Sequence, residues 1–274
     1  MYSDIWVFTE RDEKMATKET IQKFADMLYE AEASRVAIEP LTDMDDSLNI
    51  DDAYAIQLAN IDRVVKEGQV ISGKKIGLTS EGIQKQLGVD EPDYGHLFES
   101  MYCKDGSCNI DELISARIEG EIAFVLKEGL SGGNVTAEDV RRATDYVVPA
   151  FEIVDSRVVD WRIKLIDTVS DNASSGRYVL SDSRWKIDEV DLPNVEMKLY
   201  RNGELVNEGK GSAVLGDPAE AVAWLANKLW GYGVEFFKGE VILSGALSAT
   251  VTAEKGDVFL ADFGDFGKVE ACFV

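Results

Sequence analysis

The sequence predicts an α+β fold, with a β-rich core over residues 70–274 and a helical segment, residues 1–69, packed on it. Three observations predict this. Apolar residues recur at helical spacing before residue 70. Strand-like runs with short connections dominate after it. Five prolines in 274 residues, with no repeat and no low-complexity tract, give no sign of a flexible hinge. Hydrophobic residues are 45% of the chain and charged residues 29%, so a sizeable core is expected rather than disorder.

The elements follow in order. Residues 1–16 have no clear period and read as an extension, with Met15 available as an internal start. From Thr17, a capping residue, Ile21, Phe24, Ala25 and Leu28 fall at i, i+3, i+4 and i+7 of a helix. TDMDDS is a loop. A second helix starts at Asn49, with Asp51 and Asp52 favourable in its first turn and Gly68 placed to stop it. VISGKKIGL reads as a strand, SEGIQKQLG as a short helix from Ser80 to Gly88, and ARIEGEIAFVL as a strand of mixed apolar and charged alternation. TAEDVRRATDYV reads as a helix capped by Thr136 and leads into the apolar strand VVPAFEIV. A long segment with polar interruptions, DSRVVDWRIKLIDTVSDNASSGRYVL, precedes the hairpin VEMKLYRNGELVNEG. Asn202 and Gly203 at its turn tolerate the positive φ of type I′. DPAEAVAWLANKLWGYG is a helix with Asp217 as cap, Pro218 in the first position, Glu220 in a box-like position and Gly231 at the end. VFLADF and KVEACFV are strands joined at GDFG.

Charge and cysteines narrow the function. Against 51 acids stand 28 bases, a formal net charge of −23, which argues against nucleic acid or anionic membrane as partner. An anionic substrate would need a local cation, and a bound divalent metal could supply it. No apolar run approaches the roughly 20 residues that span a bilayer. The opening MYSDIWVFTERDEK has no signal-peptide core, and three cysteines make an odd set, so a reduced, cytoplasmic protein is expected. His96 is the sole histidine. That excludes a multi-histidine metal site, and with Cys103 and Cys108 it offers only three zinc ligands. No P-loop or GxGxxG pattern is present.

Candidate chemistry centres on carboxylates. In a strand, Glu119 and Glu121 point to one face, ~7 Å apart along the backbone, and Ile118 and Ile122 to the other. The pair is either a solvated outer face or a cation site, since ionised neighbours in poor solvent repel unless a cation lies between them. All-oxygen ligands suit Mg²⁺, Mn²⁺ or Ca²⁺. Glu152, in the apolar run VVPAFEIV, needs a partner if buried. That partner is either the same cation or an arginine such as Arg157. Lys75 and Asp93, taken alone, read as solvated surface groups, although an inward, desolvated Lys75 would titrate near neutrality. SDNASSG, residues 170–176, reads as a Ser/Asn turn, or as a cradle of N–H groups for a carboxylate.

GKKIGLTSEGIQKQLGVDEPDYGHLF, ARIEGEIAFVL, PAFEIVDSR, DTVSDNASSG, GDPAEAVAWLANKL and VILSGAL occur in this order. Together they resemble the 2-keto-4-pentenoate (2-hydroxypenta-2,4-dienoate) hydratase family, within the fumarylacetoacetase-like superfamily, from about residue 18 to residue 274. The resemblance implies a fumarylacetoacetase-like mixed β-roll, Mg²⁺ (or Mn²⁺) as cofactor, and a homo-oligomer built on rings. Five tryptophans and nine tyrosines would supply aromatic surface for that assembly. A pathway aldolase or decarboxylase is a candidate partner. The resemblance also implies Glu119, Glu121 and Glu152 as metal ligands, Lys75 and Asp93 as the catalytic pair, and Ser174 at the substrate. The expected reaction adds water to 2-hydroxypenta-2,4-dienoate to give 4-hydroxy-2-oxopentanoate, in meta-cleavage degradation of aromatics. The alternatives are 4-oxalocrotonate (2-oxo-3-hexenedioate) decarboxylase and a non-catalytic metal-binding scaffold.

Overall fold

A computed structural model of the chain describes residues 15–79, 84 and 92–274. The expected extension falls almost wholly outside them, as does the short helix over 80–88 apart from Gln84. Helix α1 (Lys18–Ser34) begins where the Thr17 hydroxyl accepts from the Thr20 N–H, and it buries Ile21, Phe24, Ala25 and Leu28. A four-residue helix, α2 (Leu41–Met44), occupies part of the expected TDMDDS loop. Its cause is tertiary: the Thr42 N–H and hydroxyl both donate to the buried carboxylate of Asp167. Helix α3 (Ile50–Lys66) opens on a reciprocal capping box between Asn49 and Asp52. Asp52 also accepts from the Ala16 N–H at 2.8 Å, tying the start of α1 to α3. Phe24, Leu28, Leu41 and Ile56 form a small core among these helices, whereas Ala53 and Tyr54 join the main core.

The strands are β1 (Ile71–Gly77), β2 (Asp93–Phe98), β3 (Ser107–Cys108), β4 (Ala116–Leu126), β5 (Thr144–Asp155), β6 (Ser175–Leu180), β7 (Glu196–Arg201), β8 (Glu204–Lys210), β9 (Val241–Leu243), β10 (Val251–Thr252), β11 (Val258–Asp262) and β12 (Lys268–Phe273). Helices α4 (Ala137–Ala143), α5 (Leu165–Ser170) and α6 (Pro218–Trp230) connect them. The helix read from Thr136 ends at Ala143 rather than running through TDYV. Thr144, Tyr146 and Val147 are β-branched or aromatic, and they open β5 instead. The Asn202 and Gly203 turn has φ of 53° and 84°, as type I′ requires.

One sheet has the order β2-β1-β9-β4-β5-β6, with β10 on β4, and the other the order β3-β12-β11-β7-β8. Ile118, Ile122, Phe124, Phe151 and Ile153 line one face of the larger sheet and share a core with Leu199, Phe259 and Phe273 of the smaller. Phe124 and Phe151 have no exposed surface, and truncating either to Ala would cost about 3–5 kcal/mol. The larger sheet curls. The hydroxyls of Ser72 in β1 and Tyr178 in β6 lie 3.1 Å apart, although the two strands are four places apart in the sheet. Its inner face carries Leu97, Ala123, Ala150, Tyr178 and Leu243, and beside them the candidate site.

Candidate active site

Strands β4 and β5 build the acidic half of the site. They run antiparallel with Glu119 opposite Glu152, and alternation puts Glu121 on the same face as Glu119. Glu121 and Glu152 are fully buried, and 9% of Glu119 is exposed, so this is not an outer strand face with solvated acids. One oxygen from each of the three carboxylates lies within 4.8 Å of the others. Burial, and then the negative charge of Glu152, push Glu119 up to about 8. The same two causes hold Glu121 well above the ordinary carboxylate range. The Gly245 N–H donates to Glu121 Oε2 at 2.8 Å, while Glu121 Oε1 and Glu152 Oε2 have no hydrogen-bond partner among the described residues. Buried carboxylate oxygens without partners are costly, and a hard divalent cation satisfies them. The donor set therefore fits Mg²⁺, Mn²⁺ or Ca²⁺.

Strands β1 and β2 build the other half. Lys75 pairs across to Leu243, which pairs on its far side with Ala123, so Lys75 shares the face of Glu119 and Glu121. Asp93 lies opposite Gly77, two residues along the same face from Lys75. Neither is a surface group: Lys75 is 3% and Asp93 2% exposed. The Lys75 ammonium sits 3.0 Å from Glu152 Oε1. Burial alone would depress its pKa toward neutrality, but attraction from Glu152, Asp93 and Glu119 overrides that and pushes Lys75 up to about 12. The number of carboxylates around it reverses the expected direction. Asp93 is pushed up to about 6 by burial, against the opposing pull of Lys75. Glycine at 77 is required by contact, since a Cβ there would lie 2.2 Å from Asp93 Oδ1.

The 170–176 segment is a turn that leans on this half. Asn172, Ala173 and Ser174 all have left-handed backbone, at φ 52°, 50° and 53°, a conformation that costs L residues about 1 kcal/mol or more each. Arg157 holds the turn: its Nε and backbone N–H donate to the Asp171 carboxylate, Nη2 donates to Asp171 O, and Nη1 donates to Ser175 O. Arg157 therefore belongs to Asp171, and Glu152 takes Lys75 instead. Ser174 is buried, its hydroxyl 3.4 Å from Thr168 Oγ1 and 3.5 Å from Asp171 Oδ2. Gly95 lets the turn approach, because a Cβ there would lie 2.4 Å from Asn172 O and 2.7 Å from Ser175 Oγ.

Sequence reasoning missed Gly77, Gly95, Asn172 and Gly245, which shape the site through backbone and close approach rather than through reactive side chains. The available signal was the glycine in each of GKKIGL, DYGHLF and VILSGAL. Cys103, Cys108 and Cys272 are free thiols, and His96 is buried and held neutral, pushed down to about 3 by burial and then by Lys74. No helix among the described residues is long and apolar enough to cross a membrane.

Residues 81–274 match the fumarylacetoacetate hydrolase C-terminal family. The chain is 47% identical over 248 residues to 2-hydroxyhexa-2,4-dienoate hydratase of Comamonas testosteroni, covering 89% of this chain and 94% of that one. It is 45% identical to 2-keto-4-pentenoate hydratase of Paraburkholderia xenovorans, covering 94% and 96%. The chain belongs to the 2-keto-4-pentenoate hydratase family. It is accordingly an enzyme of the hydro-lyase class with a fumarylacetoacetase-like fold. A solved structure of 4-oxalocrotonate decarboxylase from Pseudomonas putida G7, complexed with magnesium and adipate, superimposes with a TM-score of 0.92 at 35% identity. It covers 95% of this chain and 100% of that one.

Proposed function

We propose that this hydratase adds water to 2-hydroxypenta-2,4-dienoate to give 4-hydroxy-2-oxopentanoate, in the breakdown of ring-cleaved aromatics. The observation that carries the reading is the meeting, on one buried sheet face, of a three-carboxylate group with a charged lysine and a raised-pKa aspartate. Glu119, Glu121 and Glu152 would hold the divalent cation, Mg²⁺ or Mn²⁺. When bound, it supplies Lewis acidity toward the carboxylate and 2-keto oxygen of the substrate.

The remaining chemistry falls to the chain's own side chains. Asp93, at about 6, is close enough to neutrality to take a proton and return it within one turnover. Lys75 stays protonated, so it stabilises negative charge developing on the substrate and donates a proton rather than abstracting one. Ketonisation of the dienol gives a conjugated enone, and water then adds at its distal carbon with Asp93 positioned as the base. Ser174 would face the substrate. Burial of all five ionisable groups excludes bulk water, which strengthens each of these interactions.

The decarboxylase reading draws on the 35% identity to the 4-oxalocrotonate enzyme, but identities of 41–47% to hydratases favour water addition. Incubating the purified protein with 2-hydroxypenta-2,4-dienoate and Mg²⁺ decides between them. Loss of the dienol absorbance with gain of one water in the product mass is expected. Release of CO₂ from 2-oxo-3-hexenedioate without hydration would overturn the reading, and no turnover of either substrate would leave a scaffold. The same reading includes a cytoplasmic homo-oligomer, which light scattering across an ionic-strength series tests. Self-repulsion at a net charge of −23 should loosen the assembly at very low salt.

A further inference from the structure

β2 is an edge strand of the seven-stranded sheet, and its outer edge has no neighbouring strand among the described residues. Side chains take the strand's place there. The Asn172 carboxamide makes a two-point pairing with the backbone of one residue of β2: the His96 N–H donates to Asn172 Oδ1 at 2.7 Å, and Asn172 Nδ2 donates to His96 O at 2.9 Å. Gln57 Nε2 reaches the next outward carbonyl, Tyr94 O, at 3.0 Å. The pairing is demanding, because both amide atoms are used and the orientation of the carboxamide is thereby fixed.

What the pairing joins is the reason to assign it a role. His96 lies three residues beyond Asp93 on β2, and Asn172 lies two residues before Ser174 on the left-handed turn. The turn itself is rigid, since Arg157 makes four hydrogen bonds to Asp171 and Ser175 at its two ends. Gly95, between Asp93 and His96, permits the close approach. We propose that Asn172 is a positioning residue, whose carboxamide fixes the Asp93 strand against the turn that carries Ser174. The inference rests on the reading that Asp93 moves a proton in the reaction. Asn172 touches no reacting atom. It acts through β2, and the three metal-ligating candidates on β4 and β5 do not depend on it.

Asn172→Asp keeps the shape but replaces the Nδ2 donor with an oxygen facing His96 O, and Asn172→Ala removes both bonds. A displacement near 1 Å of a reacting group can cost about 10²-fold, so kcat should fall about tenfold or more in each variant. KM should stay within about threefold, and Mn²⁺ affinity, read by electron paramagnetic resonance, within about twofold. Hydrogen exchange at the His96 amide should accelerate. Asp93→Asn is measured in parallel. If it keeps wild-type turnover, the reading of Asp93 itself fails. If it is impaired while both Asn172 variants turn over normally, the positioning role alone is overturned. Loss of fold, or of Mn²⁺ binding together with kcat, in both Asn172 variants would assign the pairing to stability and overturn the role as well.

Discussion

Loading the carboxylate group with a cation should expel protons. In the metal-free protein Glu119 is pushed up to about 8 by burial and the charge of Glu152. At pH 7 such a group is protonated roughly ten times in eleven. Glu121 is held well above the ordinary carboxylate range by the same causes. Lys75, at about 12, keeps its own proton. Carboxylate ligands must be ionised to coordinate, so binding at pH 7 should release protons, with Glu119 and Glu121 titrating as a linked group. Apparent affinity should then climb as pH rises toward 8, by about tenfold per pH unit for the Glu119 proton. Mg²⁺ titration calorimetry in buffers of different ionisation enthalpy counts the protons directly. Glu121→Gln should lower the number of protons released and weaken binding, with the fold intact. Affinity that is flat between about pH 6 and 8, with no proton release, would refute the assignment of these carboxylates to a cation.

Lys75→Ala and Asp93→Asn should each lower kcat by roughly 10²–10⁴-fold with the cation still bound, as steady-state kinetics and metal titration would show. Gly77→Ala puts a Cβ 2.2 Å from Asp93 Oδ1, so the carboxylate must shift. Turnover should fall about 10²-fold while metal affinity is unchanged. His96 should make the protein acid-sensitive. Its folded pKa, about 3, lies below the ordinary histidine value of 6.5, so below 6.5 the unfolded chain gains a proton that the folded chain refuses. Its stabilising contribution is complete above 6.5 and is lost as pH falls toward 3, by about 1.4 kcal/mol per unit. Urea midpoints against pH for wild type and His96→Gln would show this as a shallower acid decline in the variant.

How far the sequence carries depends on the range of the interaction that decides each feature. β4 is legible to the residue, because alternation within one strand already separates Glu119 and Glu121 from Ile118 and Ile122. Glu152 is legible as a buried acid in an apolar run, but its choice of Lys75 over Arg157 is not. Arg157 is engaged by Asp171, and Lys75 pairs with Glu152. Lys75 and Asp93 carry no local sign of their surroundings, and only the resemblance brought them to the site. Their burial arises from pairing β1 with β2 and, on its other side, with β9, a strand far away in sequence. Burial alone gives the wrong sign for the Lys75 shift for the same reason, since desolvation is a property of one position and the opposing attraction is a sum over three strands. The TDYV segment went to a strand and TDMDDS partly to a helix because contacts with distant residues outweighed local pattern.

The two halves of the site have separate supports, and this explains why the expected effects divide as they do. Glu119, Glu121 and Glu152 are fixed by eleven register pairs between β4 and β5, with the Gly245 N–H as an added anchor. Lys75 and Asp93 are fixed by β1 and β2, by the glycines at 77 and 95, and by the Asn172 clamp. The Lys75–Glu152 ion pair spans the halves. A cation entering the group would compete with Lys75 for Glu152. Attraction to Asp93 and Glu119 would still favour the charged ammonium. A carboxylate group alone would bind a metal and do nothing further. On the proposed reading, the competition of Lys75 with that metal would connect binding to proton chemistry.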